Sequence, residues 1–256
     1  MTVARLRFAL PVYNEGVAAR RGVVELARAA RELAREFRIW VYDDGSNDGL
    51  GGLPALAPEL PELTIHHRTP NGGVGEFFRW CFDAPIADAE DRDVLAILEG
   101  DATSDLAVLP ALIRAIDGGA DVAVASRYVP GGAISGFPLR KRVVSRVTNA
   151  LLRRLYSSRV RDWTMFYRAY RVGALRELAR SLPAGLATGG FTTNAEILVA
   201  LARRGARIEE VAQHYRYGAK TGSSKLRVLP HVRELARLVA AHPPWSDVPT
   251  SPAPAR

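Results

Sequence analysis

The strongest constraint on how this chain can fold is an alternation that runs through its first half. Short apolar runs of strand character are separated by longer segments whose apolar residues recur at helical spacing. Arg5 to Val12 reads as a strand, and Val17 to Phe37 as a helix with Val23, Leu26, Ala30, Leu33 and Phe37 on one face. Further strands are predicted at Ile39 to Tyr42, Leu63 to His67, Val94 to Leu98 and Val122 to Ala125, with helices at Gly75 to Phe82 and Leu109 to Ile116. Such an order predicts an α/β fold, a mostly parallel sheet with helices on both faces. In sheets of this kind ligands bind beyond the carboxyl ends of the strands.

The rule requires polar, chemically capable residues just after each strand, and the sequence supplies them. Pro11, Tyr13, Asn14 and Glu15 follow the first strand, and Asp43, Asp44, Gly45, Ser46 and Asp48 the second. Glu99 and Asp101 follow the fourth, and Ser126 and Arg127 the fifth. Beyond Pro130 come a glycine-rich loop, a basic helix from Leu139 to about Tyr156, the stretch Asp162 to Tyr170, and a helix from Thr193 to Arg204. Ile208 to His214 reads as a late strand, Gly218 to Lys225 as a loop, and Val228 to Ala241 as an amphipathic helix. No repeat or linker divides the chain, so residues 1–242 are expected to form one domain and 243–256 a proline-rich, loosely ordered tail.

Composition narrows the function classes. With 35 Lys and Arg against 27 Asp and Glu the net charge is +8, which suits an anionic partner: nucleic acid, lipid headgroup or nucleotide. A single cysteine, Cys81, leaves no internal disulfide and no multi-cysteine metal site, in keeping with a reducing cytoplasm. Arg or Asp interrupts each apolar run before it reaches membrane-spanning length, so no transmembrane helix is expected. The N-terminal segment reads as a first strand, not a signal peptide. The five histidines show no zinc-ligand spacing, and no basic and aromatic surface pattern points to nucleic acid.

Glu99 and Asp101 in ILEGDATSD place two carboxylates on one turn at a strand end. Such a pair can hold a hard divalent cation, Mg²⁺ or Mn²⁺, whose shell is completed by water and substrate phosphate, or it can be a solvated acidic turn. Asp44 in VYDDGSNDG sits where a carboxylate can accept hydrogen bonds from a base or ribose, or equally cap a helix. Arg140, Lys141, Arg142 and Arg146 concentrate positive charge beside Ser145, as a phosphate site would need, or they form a solvated basic face.

Taken in order, LPVYNEG, VYDDGSNDG, NGGVG, LEGDATSD, ASRYVPGG, VRDWTMFYRAYR and a final G-S-S-K-L stretch resemble the family 2 glycosyltransferases of GT-A fold. The likeness covers nearly all of residues 7–240, and within the family it is strongest to dolichol-phosphate mannose synthases and related polyprenyl-phosphate glycosyltransferases. The resemblance implies a nucleotide pocket lined by Pro11, Tyr13, Glu15, Asp44, Gly73 and Asp101, and a metal site at Glu99, Asp101 and Thr103. It implies an acceptor-phosphate grip from Lys141, Arg142, Ser145 and Lys225, the last on a mobile loop over the donor phosphates. Asp101, Arg127, Arg168 and Glu196 take the catalytic positions.

Two departures from the family pattern stand out. The first metal-side acid is Glu99, not Asp, and Met165 and Phe166 occupy positions that are small in relatives. The activity implied is an inverting, metal-dependent transfer from GDP-mannose or a UDP-hexose to a polyprenyl phosphate, by a cytoplasmic protein in peripheral contact with the membrane face. A phosphate acceptor is already ionised and needs little or no general base; a hydroxyl acceptor needs a carboxylate, and Glu196 and Asp162 are the candidates. A soluble enzyme acting on a hydroxyl and a non-catalytic nucleotide-sugar-binding subunit are the competing readings.

Overall fold

The computed structural model describes residues 4–156, 159–182, 185–190, 192–217 and 228–244. Its centre is a seven-stranded sheet in the order β3-β2-β1-β4-β7-β5-β8. The strands are β1 (Leu6–Val12), β2 (Phe37–Asp43), β3 (Leu63–His67), β4 (Val94–Ile97), β5 (Val122–Ser126), β7 (Arg168–Arg171) and β8 (Ile208–Ala212). β7 runs antiparallel to both neighbours and every other pairing is parallel. Side chains alternate between faces along a strand, yet β4 and β5 are buried at every position. Both faces are therefore covered, as the unbroken apolar runs of the sequence require.

The helices are α1 (Gly16–Glu32), α2 (Gly73–Cys81), α3 (Leu109–Asp117), α4 (Leu139–Leu155), α5 (Val172–Ser181), α6 (Thr192–Arg203) and α7 (Val228–Ala241). α1 ends earlier than its apolar spacing predicts. Ala34 takes a left-handed φ of 51°, the chain turns, and Phe37 becomes the first residue of β2, packed edge-on against Phe8 at 6.4 Å. The stretch from Asp162 to Tyr170 splits into an irregular segment and β7, and α5 follows it directly. The segment read as one late strand is broken at Gln213: β8 belongs to the main sheet, while β9 (His214–Arg216) pairs with β6 (Ala133–Ser135) in a separate two-stranded ribbon.

The strand order locates the functional end. The chain goes outward from β1 to β2 and β3, then returns to lay β4 on the other side of β1, so β1 and β4 flank the reversal in strand order. There the loops after β1, β2 and β4 meet: Asp44 N–H donates to the Val12 carbonyl at 2.9 Å and Leu98 N–H to that of Ala9 at 3.1 Å. The approach is so close that a Cβ on Gly100 would lie 2.0 Å from the Pro11 carbonyl oxygen. Only glycine fits between Glu99 and Asp101.

Candidate functional site

A cavity of about 500 Å³ opens at this junction. One part of its lining is made by the strand-end loops: Pro11, Val12, Tyr13 and Glu15 after β1, Asp44 after β2, and Glu99, Gly100 and Asp101 after β4. Asn71, Gly73 and Val74 continue this wall at the start of α2. The Asp44 carboxylate shapes that corner, accepting from the N–H groups of Gly72 at 2.7 Å and Gly73 at 2.8 Å. Its charge thereby stabilises the N-terminus of α2. Pro11, Tyr13, Glu15, Asp44, Gly73 and Asp101, assigned to the nucleotide by resemblance, all border one space.

Glu99 and Asp101 share the turn after β4, in which Ala102 has a left-handed φ of 57°. Glu99 accepts a short hydrogen bond from Ser104 Oγ, and Asp101 Oδ1 accepts from Thr103 Oγ1 at 2.5 Å. Burial first, and then the neighbouring Asp101 charge, push the Glu99 carboxyl up to about 7. A carboxyl raised by burial and by a neighbouring carboxylate fits a divalent cation, which would relieve both effects on Glu99. No cluster of three or more metal-ligating side chains occurs among the described residues, so these two would hold an ion whose remaining ligands come from substrate and water. Thr103 does not line the cavity; its N–H and Oγ1 both donate to Asp101 Oδ1 and so orient that carboxylate.

Arg127 borders the cavity from the end of β5. Its Nε and Nη2 donate to the two oxygens of the fully buried Asp162 at 2.8 and 2.7 Å, and Nη2 also reaches Thr164 Oγ1 at 2.8 Å. Burial opposes both charges, but their mutual attraction wins, so Arg127 is held above and Asp162 below the usual value. Asp162, also bonded by the Met165 N–H at 3.1 Å, is the anchor of Arg127. It is not a free base.

A further part of the lining comes from α4. Lys141, Val144, Ser145 and Thr148 line the cavity, with Lys141 Nζ donating to Tyr217 Oη at 2.7 Å and Ser145 Oγ 2.8 Å from Tyr128 Oη. Asn149 ties this helix to the segment behind Arg127: its Nδ2 donates to Thr164 Oγ1 at 2.9 Å and its Oδ1 accepts from Trp163 N–H at 2.6 Å. Met165 and Phe166, bulky where the resembled pattern is small, also face the cavity. Phe166 stacks on Phe77 at 5.9 Å, and the Met165 sulfur accepts from Gln213 Nε2 at 3.2 Å.

Besides Thr103, three residues expected at the site do not border the cavity. Arg142 is on α4 but does not border the cavity. Arg168 is completely buried and donates to the carbonyls of Asn194 at 2.5 Å and Trp163 at 2.6 Å, so it braces β7 against α6. Glu196 is buried and does not line the cavity, and its Oε1 accepts from Ala187 N–H at 2.8 Å. Its Oε2 accepts from Thr188 N–H at 2.8 Å and Thr188 Oγ1 at 2.6 Å. His242 Nε2 lies 3.1 Å from Oε1. Burial would raise this carboxyl, but the hydrogen bonds, that of His242 foremost, hold it low. Lys225 and the TGSSKL stretch fall outside the described residues, as do residues 245–256 of the expected tail.

Sequence reasoning missed the aromatic wall. Phe137, Tyr215 and Tyr217 line the cavity, with Phe137 and Tyr217 ring centres 5.0 Å apart and the Arg127 guanidinium 5.8 Å from the Tyr215 ring. The nearest available signal was the pair of tyrosines two residues apart, Tyr215 within β9 and Tyr217 just past its end, both of which line the cavity.

The comparisons agree with this architecture. The model of "Glycosyl transferase family 2" matches residues 8–179. The chain belongs to that family. Its match to the polyprenol monophosphomannose synthase of Mycolicibacterium smegmatis is 34% identical over 174 residues, 66% of this chain and 62% of that protein. The undecaprenyl-phosphate mannosyltransferase of Micrococcus luteus is 30% identical over 186 residues, 71% of this chain and 72% of its own. This family 2 chain thus spans less than two thirds of the first relative. Among solved structures, the glucosyl-3-phosphoglycerate synthase of Mycobacterium tuberculosis, held with Mn²⁺, uridine diphosphate and phosphoglyceric acid, superposes with a TM-score of 0.64. At 16% identity, over 94% of this chain and 79% of that one, the likeness is one of fold. The fold is a mostly parallel sheet of the GT-A kind that the family resemblance implied.

Proposed function

We propose that the protein transfers a hexose, with mannose from GDP-mannose the first candidate, to a polyprenyl phosphate with inversion at the anomeric carbon. Mg²⁺ or Mn²⁺ would be held by Glu99 and Asp101 and would neutralise the departing diphosphate. The observation that carries this reading is the division of a single cavity. Carboxylates suited to a metal–nucleotide complex stand on the strand ends, Lys141 and Ser145 stand on α4, and Arg127 lies on the same lining. Both named relatives carry polyprenyl-phosphate mannosylation in their names, which supports the acceptor class.

Arg127 is pre-oriented by Asp162, leaving Nη1 as its one guanidinium terminus without a protein partner among the described residues. A fixed cation of this kind stabilises developing charge without reorganising. The carboxylates nominated as bases, Asp162 and Glu196, are both saturated by structural hydrogen bonds. That favours an acceptor that brings its own negative charge. The reading extends to a protein working at a membrane face by peripheral contact, since no helix among the described residues is long and apolar enough to cross one.

The test is a donor screen: purified protein with GDP-mannose, UDP-glucose or UDP-N-acetylglucosamine, with Mg²⁺, Mn²⁺ or chelator, each with and without a short polyprenyl phosphate, read by mass. A glycosyl-phospholipid formed only with metal is the expected product. Donor turnover on hydroxyl acceptors alone would replace this reading with the soluble enzyme, and donor binding without turnover would replace it with a binding subunit.

A further inference from the structure

The two faces of α4 do different things. Its inner face buries Thr148, Asn149 and Leu152 and lines the cavity through Lys141 and Ser145. On its outer face Leu139, Val143, Val147 and Leu151 recur every fourth residue and stand 73%, 51%, 61% and 41% exposed. A four-residue repeat advances about 40° per step on a helix, so they form one gently spiralling apolar stripe. Arg140 and Arg154 interleave with the stripe and Arg146 and Arg153 flank it, all exposed and none in an ion pair among the described residues. The helix contains no acidic residue.

We infer that the outer face of α4 docks onto an anionic lipid surface, with the aliphatic stripe in the headgroup boundary and the arginines on lipid phosphates. The pattern fits a helix lying in the interface plane. A second copy of the chain is disfavoured because a two-fold interface would set like-charged arginines against one another. Nucleic acid is disfavoured because aliphatic side chains give bases nothing to stack on. The choice of lipid over an acidic protein rests on the polyprenyl-phosphate reading. The face that would touch the membrane belongs to the helix that walls the cavity, so a lipid-borne phosphate would be delivered at headgroup depth.

Cosedimentation of the full chain with vesicles of phosphatidylglycerol and phosphatidylcholine in equal parts tests this without donor or acceptor. The wild type should pellet with them, release as salt is raised, and bind phosphatidylcholine vesicles weakly. The double variant Val143→Glu/Val147→Glu should lose binding by about tenfold or more while keeping its melting temperature, because both side chains point to solvent. It should also retain glycosyl transfer to a detergent-dispersed short acceptor. A wild type that stays in the supernatant, or a variant that binds equally well, overturns the inference. So does a wild-type dimer that the variant dissolves without any vesicle binding. Vesicle binding with no transfer by either form would overturn the function proposed above and leave the docking face standing.

Discussion

Replacing Glu196 by Gln separates the two acceptor classes. The carboxylate takes hydrogen bonds from Ala187 N–H, Thr188 N–H and Thr188 Oγ1 and lies beside His242 Nε2. An amide keeps one oxygen and turns the other into a donor, so either Ala187 N–H or Thr188 N–H is stranded in a buried place. His242 can change tautomer and Thr188 Oγ1 can rotate, but a backbone N–H cannot adapt. One unsatisfied buried group costs about 1–3 kcal/mol. For a chain of this size that lowers the melting temperature by about 2–4 °C per kcal/mol, or roughly 2–12 °C in all.

Glu196 is held low, so the stability it supplies is present above its ordinary value of 4.5 and is lost as pH falls below it. The gap between wild type and variant in a thermal-shift series should accordingly close at acid pH. Turnover with polyprenyl phosphate should fall by less than about tenfold, against the roughly 10²–10⁴-fold expected when a general base is removed. An unchanged melting temperature together with a hundredfold loss of turnover would refute the reasoning and restore Glu196 as the base.

Other perturbations probe the rest of the site. Asp162→Asn leaves the Arg127 charge buried and half-paired, costing about 3–5 kcal/mol; chemical denaturation should show the loss in stability and kinetics a concurrent loss of turnover. Gly100→Ala drives a methyl group into the Pro11 carbonyl and must part the ends of β1 and β4; a fall in both melting temperature and donor affinity is expected. Glu99 is raised from 4.5 to about 7, so its contribution to stability is complete below 4.5 and is lost as pH rises through 7. The metal-free protein should therefore melt progressively lower across that window, Mn²⁺ should stabilise it more above pH 7 than below 4.5, and Glu99→Gln should flatten the slope. Asp101→Asn should cut metal-dependent turnover by about a hundredfold or more in a steady-state assay, the scale of losing a preorganised charge.

The parallel part of the sheet and the strand-end lining of the cavity were legible because they depend on local signals. Apolar runs mark the strands, and the polar clusters after them mark the crevice. What was not legible arises from long-range pairing. β7 enters the sheet antiparallel between β4 and β5, a position no periodicity in RAYR announces. The fates of Arg168 and Glu196 follow from it and from the packing of α6: a matching position in a motif does not reveal whether a guanidinium faces a cavity or two backbone carbonyls. Lys141 and Arg142 are neighbours of the same chemistry, and only the helix rotation decides that one lines the cavity and the other does not. Tyr215 escaped notice because β9 and β6 are three residues each, too short for alternation to show.

The central claim is that the acceptor nucleophile is a phosphate oxygen, and phosphorus NMR of the product tests it directly. A sugar joined to the phosphate converts a monoester into a diester, which removes the second ionisation at about pH 6. The signal of a polyprenyl phosphate treated with donor, metal and enzyme should stop titrating through that range as sugar is transferred. A phosphorus signal that titrates unchanged, while the sugar appears on a hydroxyl acceptor, would contradict the claim.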